Sequence, residues 1–116
     1  MNAIKFFTGQ RTAAGAVVTV DGEPLRTRTE TVFHAAGFDW GHNGSAAAQL
    51  AFALLADVYD VATARLVYLQ FRAEVIAKFG RDHWLLNSHQ VQQWFEWTAV
   101  AAADDEEIEG ALAELA

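Results

Sequence analysis

The residue types best able to do chemistry are crowded into one stretch, "GFDWGHNGSAAAQLAFALL", from Gly37 to Leu55. Its first nine positions hold three glycines, two aromatics, an aspartate, a histidine and an asparagine, and an almost wholly apolar run follows. A glycine loop that ends at a helix N-terminus can hold an anion, because free backbone N–H groups and the helix dipole point at the same spot. Gly41, Gly44 and Ser45 would supply amides and a hydroxyl, and His42 a further donor. With Trp40 and His34, these residues make up the candidate ligand-binding set. The spacing is neither that of a P-loop nor that of a dinucleotide fingerprint, and no lysine follows Gly44. The competing reading is structural. Asn43-Gly44 makes a turn with positive φ, Ser45 caps the next helix, and Phe38 and Trp40 staple the turn onto the core. The structural reading is the one expected.

Four histidines raise the question of a metal. His34, His42, His83 and His89 show no His-x3-His spacing and no HExxH, so a site would have to be assembled from distant segments. His34 and His42, flanking Asp39, are the one local cluster. Ser88-His89 lacks the nucleophile elbow that would activate a serine, and Ser88 reads better as a helix cap. No catalytic residue, metal ligand set or cofactor is expected.

The elements that must position these groups change character along the chain. "AIKFF" (Ala3–Phe7) reads as a short strand ended by Thr8-Gly9, and "AVVTV" (Ala16–Val20) as a second. "DGEP" (Asp21–Pro24) is a turn into a third strand, "LRTRTETV" (Leu25–Val32), which alternates with period two. After the glycine segment the period becomes helical. A helix runs from Ser45 to about Tyr59, and between Ala46 and Ala56 only Gln49 is polar, so this helix is expected to be central and buried. Asp60 caps a second helix to about Phe79, with Ala62, Leu66, Leu69, Ala73 and Ile76 as its inner stripe and Gly80 as its stop. His83–Leu86 is a short strand or an extended link. A third helix starts at Asn87 or Ser88, with Val91, Trp94, Phe95 and Thr98 inward. The expected fold is α+β: a small antiparallel sheet of about three strands packed on a three-helix cluster.

Composition bounds the rest. The 116 residues fit one domain, assigned to residues 1–101, with 102–116 as an acidic tail or short amphipathic helix. There is no cysteine, which excludes disulfides and thiolate chemistry and fits a cytoplasmic protein. No signal-peptide pattern opens the chain, and its longest apolar run, Leu50–Ala56, is far below the roughly 20 residues that span a bilayer. The net charge is −7, yet six of the fifteen acidic residues lie in the last thirteen positions, with no Lys or Arg among them. The other 103 residues hold nine acids and eight bases, so the body is nearly neutral. That distribution argues against a whole-body nucleic-acid mimic, and the lack of a basic stripe argues against direct nucleic-acid binding.

A strand with Gly9, a hairpin and then "GFDWGHNGS…AQLAFALLAD" resemble a small family from phages and prophages, described only as a domain of unknown function. The resemblance covers about Ile4 to Trp97 and includes "WLLNSHQVQQW" (Trp84–Trp94). The usual pattern has a tyrosine, a second glycine and a Gly-Pro pair where this chain has His42, Asn43, Ala46 and Ala47. A turn tolerates those departures more easily than a ligand site does. The resemblance implies a mobile-element origin and gives no activity. By type (short, acidic, cysteine-free, single-domain) the chain is similar to anti-CRISPR proteins.

Two features suit a protein partner. Trp97 lies about 100° from the inner face of the third helix, beside Gln90 and Gln93, and tryptophan is enriched at interface hot spots. The tail carries Asp104, Asp105, Glu106, Glu107, Glu109 and Glu114, with Ile108, Leu112 and Leu115 at helical spacing. It could dock on its own domain or bind a basic groove on a partner. The expectation is a non-enzymatic inhibitor of a host protein or defence complex, in the host cytoplasm, as a monomer or homodimer. The alternative is a small-ligand or catalytic module built on the Trp40–Ser45 loop.

Overall fold

The computed structural model describes residues 3–98. Four strands, β1 (Phe6–Thr12), β2 (Gly15–Val20), β3 (Glu23–Pro24) and β4 (His83–Asn87), form an antiparallel sheet in the order β3-β2-β1-β4. The strand expected to stop at Thr8-Gly9 runs on to Thr12, because Gly9 is an interior position and not an end. It pairs with Trp84 of β4, and the indole lies across it: a Cβ on Gly9 would sit 2.0 Å from Trp84 Nε1. Only glycine lets the ring approach the strand this closely.

Asp21 and Gly22, at φ 50° and 84°, make the two-residue turn between β2 and β3. The third strand is far shorter than the expected Leu25–Val32. Leu25 still donates to the Val18 carbonyl at 3.0 Å, but the chain then leaves the sheet. Arg28 adopts φ 62°, and its carbonyl accepts from the Thr31 and Val32 amides. The polar groups that an edge strand would leave open are taken up by one buried side chain. Gln49 Nε2 donates to the Thr27 and Val32 carbonyls at 2.7 and 2.9 Å, and its Oε1 accepts from the His34 amide at 2.8 Å. His83–Asn87, read as strand or link, is the fourth strand.

Phe7, Val18, Trp84 and Leu86 face inward from the sheet. They pack in one core cluster with α1 (Ser45–Val58), whose residues Ala47–Ala56 are all buried, as its apolar circumference requires. α2 (Val61–Glu74) begins at Asp60, whose carboxylate accepts from the Thr63 amide at 2.6 Å, and ends in a 3₁₀ turn, Ile76–Lys78, before Gly80. Its expected inner stripe is corrected. Ala62, Leu66, Leu69 and Ala73 are exposed, and of the five only Ile76 is buried. The buried side is Ala64 and Phe71, with Val61, Val67, Tyr68 and Val75 partly covered. Both stripes have helical spacing, and the one holding the aromatics goes inward because aromatic rings bury the most surface. Tyr68 meets Phe52 edge-on at 5.4 Å, and Phe71 meets Trp94 at 4.8 Å.

The last helix described, α3 (residues 88–98), is capped reciprocally. Gln90 donates its amide to Asn87 Oδ1 at 2.8 Å, and the Asn87 amide donates to Gln90 Oε1 at 2.9 Å. Val91 is buried, Trp94 and Phe95 are partly covered, and the Phe95 ring packs on Tyr59 at 4.8 Å. The architecture is α+β, with a four-stranded sheet in place of about three.

Candidate functional site

The glycine segment is built from β1 outward. Arg11, near the end of that strand, lays its guanidinium 4.8 Å from the centre of the Trp40 ring and pairs with Asp39. Trp40 is buried, donates through Nε1 to the Arg81 carbonyl at 2.9 Å, and meets Trp84 edge-on at 5.8 Å. Phe79 stacks on the other indole at 4.5 Å. Trp40 is therefore a core anchor, in agreement with a stapled turn.

The Gly41 and Gly44 amides and the His42 ring are engaged internally, whereas the first turn of α1 has no side-chain cap. Gly41 needs its φ of 77°, and its amide donates to the Ile76 carbonyl at 3.0 Å. The Gly44 amide donates to His42 Nδ1 at 2.9 Å, and His42 Nε2 lies 2.9 Å from Asp39 Oδ2. An amide can only donate, so Nδ1 is the acceptor nitrogen and the neutral ring carries its proton on Nε2, which donates to the carboxylate. Neither ring nitrogen then has a free lone pair for a metal or a substrate proton. Burial raises the Asp39 pKa, but hydrogen bonds from His42, the Trp40 amide and Arg11 outweigh it and hold the carboxyl below its ordinary value.

Two members of the candidate set stand differently. His34 is not brought to His42: its Nε2 lies 2.7 Å from the Tyr68 hydroxyl on α2, and its amide is held by Gln49. Ser45 does not cap α1. Gly44 is the N-cap, in extended backbone and without a side-chain bond, and Ser45 is the exposed first helical residue. The helical ladder starts one residue earlier than expected, with the Ala48 amide donating to the Gly44 carbonyl at 3.0 Å, which makes Ser45 the first helical residue. His83 and His89 are exposed, and no group of three or more His, Asp or Glu placed to hold a metal occurs among the described residues.

Trp97 stands 80 % exposed on α3, and with Gln93, Trp94 and Glu96 it lines an open groove of about 640 Å³. Asp104, Asp105, Glu106, Glu107 and Glu109 lie outside the described residues. Sequence reasoning did not single out Arg11, whose partner is 28 positions away and leaves no local signal. Gln49 did carry a signal, as the lone polar residue of an apolar helix.

A family model of unknown function, DUF6166, matches residues 7–97. The chain belongs to this family. The DUF6166 match begins in β1 and ends at Trp97 in α3, so it takes in the sheet, the glycine segment and the exposed indole, and leaves out the acidic tail. No curated protein and no solved structure matches the chain.

Proposed function

We propose that this DUF6166 protein is a non-enzymatic, protein-binding domain of mobile-element origin that inhibits a host protein or defence complex. The observation that carries the binding role is Trp97, a large aromatic left 80 % exposed beside an open groove. An indole in water forgoes its burial free energy, and a partner that covers it recovers about 1.5–3 kcal/mol on the scale of a large apolar side chain. The closed network of Arg11, Asp39, His42 and Gly44 supports the same reading, because the groups best suited to chemistry already hold each other. The ligand-binding alternative, through His34, Trp40, Gly41, His42, Gly44 and Ser45, has less support, because all of these but Ser45 are held by internal hydrogen bonds.

The full chain is used as bait in a bacterial lysate, and captured proteins are identified by mass spectrometry. Wild type and His42→Ala are expected to enrich the same complex, and Trp97→Ala to lose it. Enrichment that ignores Trp97, or a phosphate- or zinc-induced rise in Tm that His42→Ala abolishes, would overturn the proposal.

A further inference from the structure

α2 is apolar on two opposite sides. Its inner side is Ala64, Val67, Tyr68, Phe71 and Val75, and its outer side is Ala62, Leu66, Leu69 and Ala73. Leu66 is 84 % exposed and Leu69 48 %. At about 100° per residue the outer four fall in a band roughly 60° wide, centred opposite the core. A helix with one neighbour needs one apolar stripe, and a second stripe is suited to a second neighbour.

The two borders of this stripe differ. Arg65 and Arg72 line one, and Thr63, Gln70 and Glu74 the other. Neither arginine pairs with a carboxylate among the described residues: Arg65 reaches the Thr31 carbonyl and Arg72 the Gly44 carbonyl, each at 3.5 Å. α3 lies along the Glu74 border, where the Trp94 ring packs on Phe71 and its Nε1 donates to Glu74 at 3.2 Å. Thr98, the last described residue, follows Trp94 by about one helical turn, so residues 99–116 continue from the helix that meets this border.

We propose that this stripe seats the chain's own acidic segment, Asp104–Ala116. Its Ile108, Leu112 and Leu115 supply an apolar edge for Leu66 and Leu69, and its six carboxylates, with no base among them, supply counter-charges for Arg65 and Arg72. Residues 99–103 reach up to about 17 Å when extended, more than the roughly 10 Å diameter of the helix they must cross. A second copy suits the surface less well. Two-fold antiparallel pairing of α2 with itself would set the Arg65–Arg72 border against the same border of the copy, like charge against like. The proposal does not depend on Trp97 as a partner contact.

Because the chain has no cysteine, Ala116→Cys gives a single site for a nitroxide label on the 116-residue chain. In ¹⁵N-labelled chain, paramagnetic loss of amide signal is expected across Ala62–Ala73, unchanged on dilution and weakened when salt is raised to about 1 M, where the screening length falls to about 3 Å. Leu66→Glu with Leu69→Glu should abolish that loss while the Tm of the body is retained, since both side chains face water. Signal loss that spares α2 would overturn the proposal. So would loss seen only between a spin-labelled copy and a separate ¹⁵N copy, which would assign the stripe to a dimer.

Discussion

At Gly9 the absence of a side chain is itself the structural contribution. Trp84 occupies the volume a Cβ would need, so Gly9→Ala forces the indole off the strand and disturbs its packing on Trp40 and Phe79. Overpacking of this kind costs about 1–3 kcal/mol, readable as a lower denaturant midpoint, and an unchanged midpoint would refute the close approach. Asp39 acts through charge. Its carboxyl is held below the ordinary 3.8 in the fold, so its stabilising contribution is present above that value and is lost as pH falls through the lowered one. The stability difference between wild type and Asp39→Asn is therefore expected to be largest near neutral pH and to shrink below about pH 4. Equal differences from denaturant unfolding at pH 7 and pH 3 would contradict that. From the sequence Gly9 reads as a strand end and Asp39 as the residue between two histidines, in both cases without the partners, Trp84 and Arg11. Those lie 75 and 28 positions away, and local pattern carries no such pairing.

Among the elements, α1 was the most legible, because an apolar circumference leaves no choice of face. α2 was misread for the opposite reason: it offers two stripes of equal period, and periodicity alone does not say which one meets the core. The short β3 was hidden likewise, since the alternation of Leu25–Val32 is real but Gln49 of α1 takes the backbone groups that sheet pairing would have used. Cap assignment shows the same limit at finer grain. Ser45 has the right chemistry at a helix start, yet the cap is Gly44. Ser45→Ala is accordingly expected to change stability by no more than about 0.5 kcal/mol, as for an ordinary surface position, whereas Leu54→Ala on the same helix should cost about 2–5 kcal/mol. Paired chemical denaturation measures both, and a large effect at Ser45 would restore it as a cap.

For the whole molecule, charge and apolar exposure divide the labour. The near-neutral body folds around α1, and its chemically capable groups close on one another in the glycine segment, while Trp97 and the outer stripe of α2 remain turned to solvent. The α+β class was readable from composition and period. Of the open surfaces, Trp97 was readable as lying off the inner face of its helix, whereas the outer stripe of α2 was not, because exposure there depends on which of two faces the core claims. On the proposed function, this protein works by contact through α3 and not by chemistry in its glycine loop. Titrating the ¹⁵N-labelled 116-residue chain with the partner captured from lysate separates the two. Contact through α3 requires shifts concentrated at the Trp97 indole and its α3 neighbours, with the amides of Gly41, His42 and Gly44 unmoved. Shifts concentrated on residues 40–45, with Trp97 unmoved, would contradict it.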